Sequence, residues 1–224
     1  MTQAMITNGH PTKASLKPKT EDIFRSLWAS LFFSGKVSNK AVMVCSASRR
    51  EGATTIATSL AVVGSVPAGN ARVALVDMNL RNPYVHRELK LDAGPGVAEI
   101  ITEGVEPEAA ARRVSSGLDV YTAGDVKGKT LDILRSDGLK RFLDMLCEGY
   151  DHVLVDVAPA NAFPDAQVLA GILPEILLVC HSEQVPREVV AQAKKRLESG
   201  GGKLVGLVMN MRTYPIPKFL YKLV

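Results

Sequence analysis

The fold is decided by KAVMVCSASRREGATT, residues 40–55. The apolar run at its start predicts a strand that is buried on both faces of a sheet. A loop that contains Gly52 follows, and residues 54–66 have the apolar spacing of a helix. A strand, a loop and a helix in this order are typical of a phosphate-binding site, because the first backbone amides of the helix can bind an anion.

The rest of the chain repeats the order of strand followed by helix. Buried strands are predicted at residues 71–79, 151–159, 175–182 and 202–210, with a weaker strand at 118–124. Helices are predicted at residues 131–150, with a break at Asp137 and Gly138, and at residues 186–199. Short helical pieces, which include EPEAAARRV, are predicted between residues 83 and 117. The alternation predicts an α/β fold in which a mostly parallel sheet carries helices on both faces.

A further helix is predicted near the start of the chain, at residues 21–33. It opens with two acidic residues, which suit the positive end of a helix dipole. Its apolar residues recur at helical spacing, with Ile23, Leu27 and Leu31 on one face and Phe24 and Trp28 beside it. We expect this face to pack against the domain.

Length and composition indicate one domain between two tails. The 224 residues, 46% hydrophobic and 22% charged, suffice for one well-buried domain, expected at residues 21–212. The polar residues 1–20 predict a disordered tail without the apolar core of a signal peptide, and residues 213–224 form a C-terminal tail with two tyrosines. No apolar run approaches the roughly 20 residues that cross a bilayer.

The charge and the cysteines narrow the class further. The net charge of +4 comes without a dense basic run interleaved with aromatic residues, so binding to nucleic acid is not indicated. The spacing of Cys45, Cys147 and Cys180 does not suit a metal site and favours reduced thiols in the cytoplasm.

Polar residues stand at the ends of several predicted strands. Asp77 ends the second strand, Asp156 a later one and Asn210 the last. Because parallel strands have their carboxyl ends at the same edge of a sheet, we expect these residues to lie beside the loop. Thr54 stands where the hydroxyl of a phosphate-binding loop meets Mg²⁺, which also prefers carboxylates. The sequence therefore predicts a magnesium site formed by Thr54, Asp77 and Asp156.

The loop lacks the lysine of a Walker A motif. The expected Gly-Lys-Ser/Thr is represented by Gly52, Ala53 and Thr54. A hydrogen bond to a charged group is worth roughly 1.5–3 kcal/mol, so phosphate binding is weakened, and phosphoryl transfer suffers further because its transition-state charge is less stabilised. Arg49 and Arg50 either replace part of this charge or form a solvated pair at the tip of the loop, and the second interpretation is favoured.

These motifs resemble those of the bacterial tyrosine kinases of capsule and exopolysaccharide synthesis. That family has a P-loop NTPase fold similar to MinD, and its members are cytoplasmic partners or fused domains of Wzz-like polysaccharide co-polymerases. The likeness covers nearly all of residues 21–210. SASRREGATT resembles the family's phosphate loop, ALVDMNLRNP its Walker A′ segment, VLVDVAP its Walker B strand, PDAQVLA the helix that follows, VGLVMN its last strand, and DIFRSLW its N-terminal oligomerisation motif.

The resemblance implies a role for each matching residue. The nucleotide-binding residues would be Glu51, Gly52, Ala53, Thr54, Thr55, Arg81 and Asn210. Asp77 would lie near the attacking tyrosine hydroxyl as the catalytic residue, and Tyr214 and Tyr221 would be the phosphoacceptors. The sequence departs from the family at Ala53, which replaces the lysine, and at Asn79, which replaces an acid. An amide neither acts as a base nor offsets the charge of Mg²⁺.

We therefore expect a degenerate family member that binds ATP and Mg²⁺ weakly or not at all and acts as a regulator or scaffold. The sequence leaves open whether the chain is an enzyme, and the interpretation without activity is favoured. Its expected partner is a Wzz-like inner-membrane co-polymerase, or else a catalytically competent relative or a second copy. It would lie in the cytoplasm or at the inner face of the cell membrane. One alternative is an active ATP-dependent tyrosine autokinase. Another is a ParA/MinD-like positioning ATPase, which Ser48 disfavours because that group has a lysine there.

Overall fold

The computed structural model describes residues 18–35, 37–66 and 71–212. Most of the expected N-terminal tail lies outside these ranges, and so do both tyrosines of the C-terminal tail, Tyr214 and Tyr221. The first helix begins at Pro18, inside the segment that was expected to be a tail. The expected boundary at residue 21 therefore falls within this helix.

A seven-stranded sheet forms the centre of the described chain. The strands are β1 (Ala41–Ser46), β2 (Val73–Met78), β3 (Arg112–Ser115), β4 (Leu118–Tyr121), β5 (His152–Val157), β6 (Glu175–His181) and β7 (Lys203–Asn210). Their order across the sheet is β3-β4-β2-β5-β1-β6-β7. Every neighbouring pair is parallel except β3 and β4. The predicted α/β fold with a mostly parallel sheet is confirmed.

Helices cover both faces of this sheet. They are α1 (Pro18–Phe32), α2 (Ala53–Gly64), α3 (Val85–Glu88), α4 (Val97–Glu103), α5 (Pro107–Ala110), α6 (Thr130–Arg135), α7 (Asp137–Gly149), α8 (Asp165–Ala170) and α9 (Arg187–Ser199). All residues of β1 are buried, and successive side chains point to opposite faces. Val42 and Val44 pack with α1 and α2, whereas Met43 and Cys45 pack with α7 and α9. Within the described ranges, no helix is long and apolar enough to cross a bilayer.

The buried face of α1 differs from the predicted one. Phe24, Trp28 and Leu31 are buried, whereas Ile23 is 62% exposed. The Trp28 ring lies directly over Gly64 of α2, where an added Cβ would come within 2.2 Å of the ring. The largest side chain of α1 therefore fixes which face packs, and the apolar stripe is rotated from the predicted position.

Two further local predictions were wrong. The end of EPEAAARRV is not helical, because Arg112–Ser115 form β3 and pair antiparallel with β4. The Arg113 guanidinium contacts the Asp119 carboxylate across this hairpin, which favours the strand pairing. The break between α6 and α7 lies at Ser136, not at Asp137 and Gly138. The Ser136 hydroxyl accepts a hydrogen bond of 3.0 Å from the Gly138 amide and so caps α7.

Candidate functional site

The carboxyl ends of the parallel strands bring the predicted site residues to one edge of the sheet. Asp77 of β2 stands directly beside Asp156 of β5 in the strand register. On the other side of β5 lies β1, whose end leads into the phosphate-binding loop, residues 47–52. Asn210 ends β7, two strands further along the same edge. The parallel topology therefore assembles the residues that the sequence placed at strand ends.

Glycine is required at the end of the phosphate-binding loop. Gly52 has a φ of +85°, which L-residues with a side chain rarely adopt. A Cβ at this position would also lie 2.4 Å from Asn210 Nδ2. That nitrogen donates a hydrogen bond of 2.9 Å to the backbone oxygen of Glu51. Asn210 thus supports the loop from β7, and this contact explains its position better than any contact with the cavity.

Glu51 closes the loop from inside. Its side chain is buried, and Oε2 accepts a hydrogen bond of 2.8 Å from the Ser48 amide. Burial raises the pKa of this carboxyl, while hydrogen bonds from nearby backbone amides oppose the change. Glu51 therefore acts mainly as an internal support that gives the loop its shape.

The N-terminus of α2 opens onto a cavity beside this loop. Gly52 precedes the helix and supplies no side-chain cap, so the positive end of the helix dipole is available to an anion. The cavity has a volume of about 600 Å³, which is within the usual range for small-molecule sites. Its lining residues come from three loops and from the start of α2. They are Ser46, Arg49, Arg50, Glu51, Gly52, Ala53, Thr54, Thr55, Asn79, Arg81, Asn82, Tyr84, Val157, Pro159 and Phe163.

Thr54 and Asp156 form the best candidate metal site. The Thr54 hydroxyl donates a hydrogen bond of 2.7 Å to Asp156 Oδ2. Asp156 is completely buried, and its Oδ1 has no hydrogen-bond partner in the described part of the chain. Burial raises the pKa of this carboxyl, and the neighbouring Asp77 carboxylate raises it further. A bound cation would offset both the cost of burying the Asp156 charge and its repulsion by Asp77.

The residues present fit a magnesium ion that keeps most of its other ligands as water or phosphate oxygens. Mg²⁺ is commonly bound in proteins through one or two carboxylates, with retained waters and substrate phosphates. No group of three or more His, Cys, Asp and Glu side chains that would enclose a metal occurs among the described residues. Bound there, the ion would neutralise charge on a polyphosphate.

Asp77 is buried beside Asp156 but has a different environment. Its Oδ1 accepts a hydrogen bond of 3.1 Å from the Asn79 amide, and its Oδ2 accepts one of 3.1 Å from each of the Tyr84 and Val85 amides. Burial raises the pKa of this carboxyl, and these hydrogen bonds oppose the change. Asp77 holds residues 79–85 at the end of β2, and neither Asp77 nor Asp156 is among the residues that line the cavity.

Arg81 lines the cavity, but its charge is already paired. The guanidinium Nε lies 2.9 Å from Asp165 Oδ2, and a second nitrogen lies 3.1 Å from Oδ1. This is a bidentate ion pair with a buried carboxylate of α8. Arg81 therefore has a structural role, and the nucleotide-binding role that the sequence suggested for it stays a prediction.

The sequence reasoning missed several residues of the site, among them Phe163, Tyr84 and Asp165. Phe163 lies in the loop after β5, with the guanidinium groups of Arg49 and Arg81 at 5.3 Å and 5.1 Å from its ring centroid. Tyr84 lines the cavity and is 42% exposed, and Asp165 pairs with Arg81. All three follow strands that end at this edge, and that position was the available signal.

Arg49 and Arg50 are exposed, as the favoured interpretation predicted, but both also line the cavity. Within the described residues, no carboxylate oxygen forms an ion pair with either guanidinium. Ala53 lines the same cavity in place of the family's lysine, and Asn79 does so in place of an acid.

Known proteins with similar sequences are tyrosine-protein kinases. The chain is 33% identical over 172 residues to YwqD of Bacillus subtilis (strain 168), a match that covers 76% of this chain and 72% of that kinase. It is 26% identical to the putative tyrosine-protein kinase CapB of Staphylococcus aureus, with 87% and 86% covered. It is 27% identical to Etk of Escherichia coli (strain K12), but it spans only 26% of that relative's length. No protein-family model matches the chain.

Solved structures share the fold. The chimerical protein CapA2B2 matches with a TM-score of 0.82 at 24% identity, covering 90% of this chain and 88% of that one. The BceF tyrosine kinase domain matches with a TM-score of 0.77 at 27% identity, covering 90% and 83%. A plasmid partition protein from Borrelia burgdorferi matches with a TM-score of 0.61 at 17% identity, covering 82% and 85%, which is a likeness of fold alone.

These likenesses assign the lineage. The neighbours show a P-loop NTPase fold shared with partition proteins. The sequence likeness to kinases is higher than the likeness to the partition protein, so the two groups are separated by sequence. With 33% identity to YwqD over 72% of that kinase, the chain belongs to the family of bacterial tyrosine-protein kinases.

Proposed function

We propose that this chain is a degenerate member of its family that acts as a regulator or scaffold in exopolysaccharide or capsule biosynthesis and export. It docks on a Wzz-like inner-membrane co-polymerase and binds ATP and Mg²⁺ weakly. The observation that carries the proposal is the methyl group of Ala53 on the cavity wall, at the start of α2, where the family's lysine would reach the phosphates.

The charge changes at Ala53 and Asn79 weaken transfer more than binding. A lost charged hydrogen bond costs roughly 1.5–3 kcal/mol of ground-state affinity. Phosphoryl transfer relies almost entirely on positioning and on cations that stabilise the transition state, so the same losses there reduce the rate further. A neutral amide at Asn79 adds nothing to the charge that holds Mg²⁺.

The environment of Asp77 also supports a non-catalytic role. A general base has to lie within hydrogen-bond reach of the proton that it removes. Asp77 is completely buried, and each of its oxygens already accepts at least one backbone hydrogen bond. The carboxylate is therefore occupied in holding residues 79–85 and is withdrawn from the cavity.

The partner follows from the family resemblance. That resemblance makes a Wzz-like co-polymerase the first partner to test, and the chimerical protein CapA2B2 has the same fold over 90% of this chain. A catalytically competent relative and a second copy of the chain are the other partners to include. Recruitment by a co-polymerase would place the protein at the inner face of the cell membrane.

The test combines binding with labelling. The purified chain is titrated with Mg-ATP by calorimetry, incubated with labelled ATP, and mixed with the cytoplasmic segment of the Wzz-like co-polymerase of the same organism. We expect capture of that segment, weak nucleotide binding and no labelled tyrosine. Label on tyrosine at the rate of a competent kinase would contradict the proposal.

A matched variant separates a disabled site from a chance likeness. The double change Ala53→Lys, Asn79→Asp restores the family's residues without altering the fold of the loop. We expect it to strengthen Mg-ATP binding at least tenfold, because one charged hydrogen bond is regained. Capture of the co-polymerase segment should stay the same. An unchanged affinity would show that the cavity is not the remnant of a nucleotide site.

An active tyrosine autokinase is the second candidate, and Tyr84 is the observation that favours it. This tyrosine is 42% exposed and lines the same cavity as Thr54, so an acceptor hydroxyl is present at the site. Labelled ATP followed by peptide mapping tests this candidate. Label that disappears in Tyr84→Phe would establish it, and label confined to Tyr214 or Tyr221 would locate the acceptor in the tail instead.

A further inference from the structure

The ring of Phe163 has a guanidinium group from each of two loops beside it. Arg49 of the phosphate-binding loop lies 5.3 Å from the ring centroid, and Arg81 lies 5.1 Å from it. Both distances are within the range of cation–π contacts. The contact orders the long side chain of Arg49 at the wall of the cavity, although Arg49 is an exposed loop residue.

Only one of these two cations is neutralised. Arg81 forms a bidentate ion pair with the buried Asp165. Arg49 has no ion pair with a carboxylate within the described ranges. Two like charges beside one ring repel each other, and Asp165 forms an ion pair with only one of them. An anion in the cavity would supply the partner that Arg49 lacks.

Arg50 is a weaker candidate for the same task. It has a φ of 65°, lies at the tip of the loop, and makes no recorded cation–π contact in the described chain. Its side chain therefore lacks the support that orders Arg49. Among the arginines that line the cavity, Arg49 alone is both held by an aromatic ring and free of an acidic partner.

We infer that Arg49, held against Phe163, binds the polyphosphate of a nucleotide in this cavity in place of the lysine that Ala53 replaces. The inference rests on the proposed function in assuming that the cavity is a nucleotide site. A guanidinium presents its N–H groups as a planar fork that matches phosphate oxygens, and it also binds aromatic rings. The spare charge and the open cavity make this contact available.

This arrangement accounts for binding without efficient transfer. The family's lysine would project from the start of α2, whereas Arg49 approaches from the loop wall beside Phe163. A cation that meets the phosphates equally well before and during transfer increases affinity but not rate. Arg49 is therefore expected to maintain a nucleotide-bound state in a protein whose reaction is impaired.

The experiment measures affinity directly. Mg-ADP and Mg-tripolyphosphate are titrated into the full chain by calorimetry, and thermal unfolding confirms that each variant is folded. We expect Arg49→Gln to weaken both ligands about tenfold to a hundredfold. Phe163→Leu, which removes the ring that orders Arg49, should weaken them about two- to fivefold. Arg49→Lys should recover part of the loss.

Two matched arginines control for the change in net charge. Arg141 is exposed on α7, away from the cavity, so Arg141→Gln should leave binding unchanged. Arg50→Gln should cost less than Arg49→Gln. Equal affinities for Arg49→Gln and Arg141→Gln would overturn the inference, and so would a larger loss from Arg50→Gln or an absence of saturable binding in the unaltered chain.

A double-mutant cycle tests whether Arg49 replaces the lysine. If both cations serve the same phosphates, Ala53→Lys should strengthen binding more in the Arg49→Gln background than in the unaltered chain. Additive effects would overturn this part of the inference. Failure of the proposed function would appear separately, as labelling of tyrosine or as no capture of the co-polymerase segment. The difference in ligand affinity between Arg49→Gln and Arg141→Gln would still test the role of Arg49 in either case.

Discussion

The ends of β2 and β5 carry the same residue at the same level of the sheet but use it in opposite ways. Asp77 and Asp156 are both completely buried and adjacent in the strand register. Three backbone amides donate to Asp77, whereas Asp156 accepts from the Thr54 hydroxyl and keeps one oxygen without a partner in the described chain. The carboxylate at the end of β2 is therefore satisfied by its own loop, whereas the carboxylate at the end of β5 keeps one oxygen that a cation could bind.

This difference teaches where the family's site has been retained and where it has changed. Hydrogen bonds support the loops around the cavity: Asn210 holds the Glu51 carbonyl, Ser48 meets the Glu51 side chain, and Asp77 holds its loop. The changes fall on Ala53 and Asn79, whose side chains line the cavity itself. Under the proposed function, these two changes remove charge from the site while the hydrogen bonds that shape it are kept.

Asp77→Ala is expected to have the largest effect. The change leaves the amides of Asn79, Tyr84 and Val85 without their acceptor. Each unsatisfied buried donor costs roughly 1–3 kcal/mol, so the free energy of unfolding should fall by about 3 kcal/mol, as measured by urea denaturation. Asp77→Asn keeps one acceptor oxygen and should cost less. A loss of less than about 1 kcal/mol for Asp77→Ala would break the distinction between the two aspartates.

Asp156→Asn should change stability in the opposite direction. The amide oxygen still accepts from Thr54, while the desolvated charge beside Asp77 is removed. We therefore expect the free energy of unfolding of the ligand-free chain to rise, as measured by urea denaturation. The dependence of nucleotide binding on Mg²⁺ should be lost, as followed by calorimetry with and without the ion.

The control for that variant is Asp144→Asn, which removes an exposed carboxylate on α7. It should change neither stability nor the effect of Mg²⁺ by a measurable amount, because exposed ion pairs contribute little. If Asp156→Asn destabilised the ligand-free chain, or kept the full effect of Mg²⁺, its unpartnered oxygen would not mark a cation site.

The sequence predicted most of the strands that end at the site, but little of the loops that follow them. Doubly buried strands such as β1 are visible as unbroken apolar runs, and parallel topology then places their ends together. β3 was missed because it is short, half exposed and preceded by helix-forming residues. Phe163 and Tyr84 were missed because the path of a loop beyond a strand end leaves no periodic signal.

The same limit applies to the electrostatics. Ala53 and Asn79 could be recognised as changed from the motif alone. That Arg81 is paired with Asp165, and Arg49 is not, depends on where α8 packs against the loop after β2. No spacing rule contains that information, so the sequence left two interpretations of the arginines of the loop. The structure places Arg49 at the cavity wall, against an aromatic ring.

The opposite end of β5 also carries a polar atom without a hydrogen-bond partner in the described chain, but its surroundings differ from those of Asp156. His152 Nδ1 is buried without a hydrogen-bond partner in the described chain, and its ring lies 4.9 Å from that of Trp28 and 4.4 Å from that of Phe32. Burial lowers the pKa of His152, Asp151 opposes this change and Lys40 adds to it. Both aromatic partners belong to α1, so we interpret His152 as a packing residue and not as a ligand.

His152→Gln should therefore produce the smallest effect. Because the pKa is lower in the folded state, the unfolded chain binds more protons as the pH falls through about 6.5, and stability is lost in acid. The variant should lose less stability than the unaltered chain between pH 8 and pH 5, and the difference should be small because the His152 side chain is only partly buried. Urea unfolding followed by Trp28 fluorescence measures this. If stability changed with pH to the same extent in His152→Gln and in the unaltered chain, burial of His152 would not be linked to the packing of α1. Nucleotide affinity should be the same in these two proteins, in contrast to Asp156→Asn.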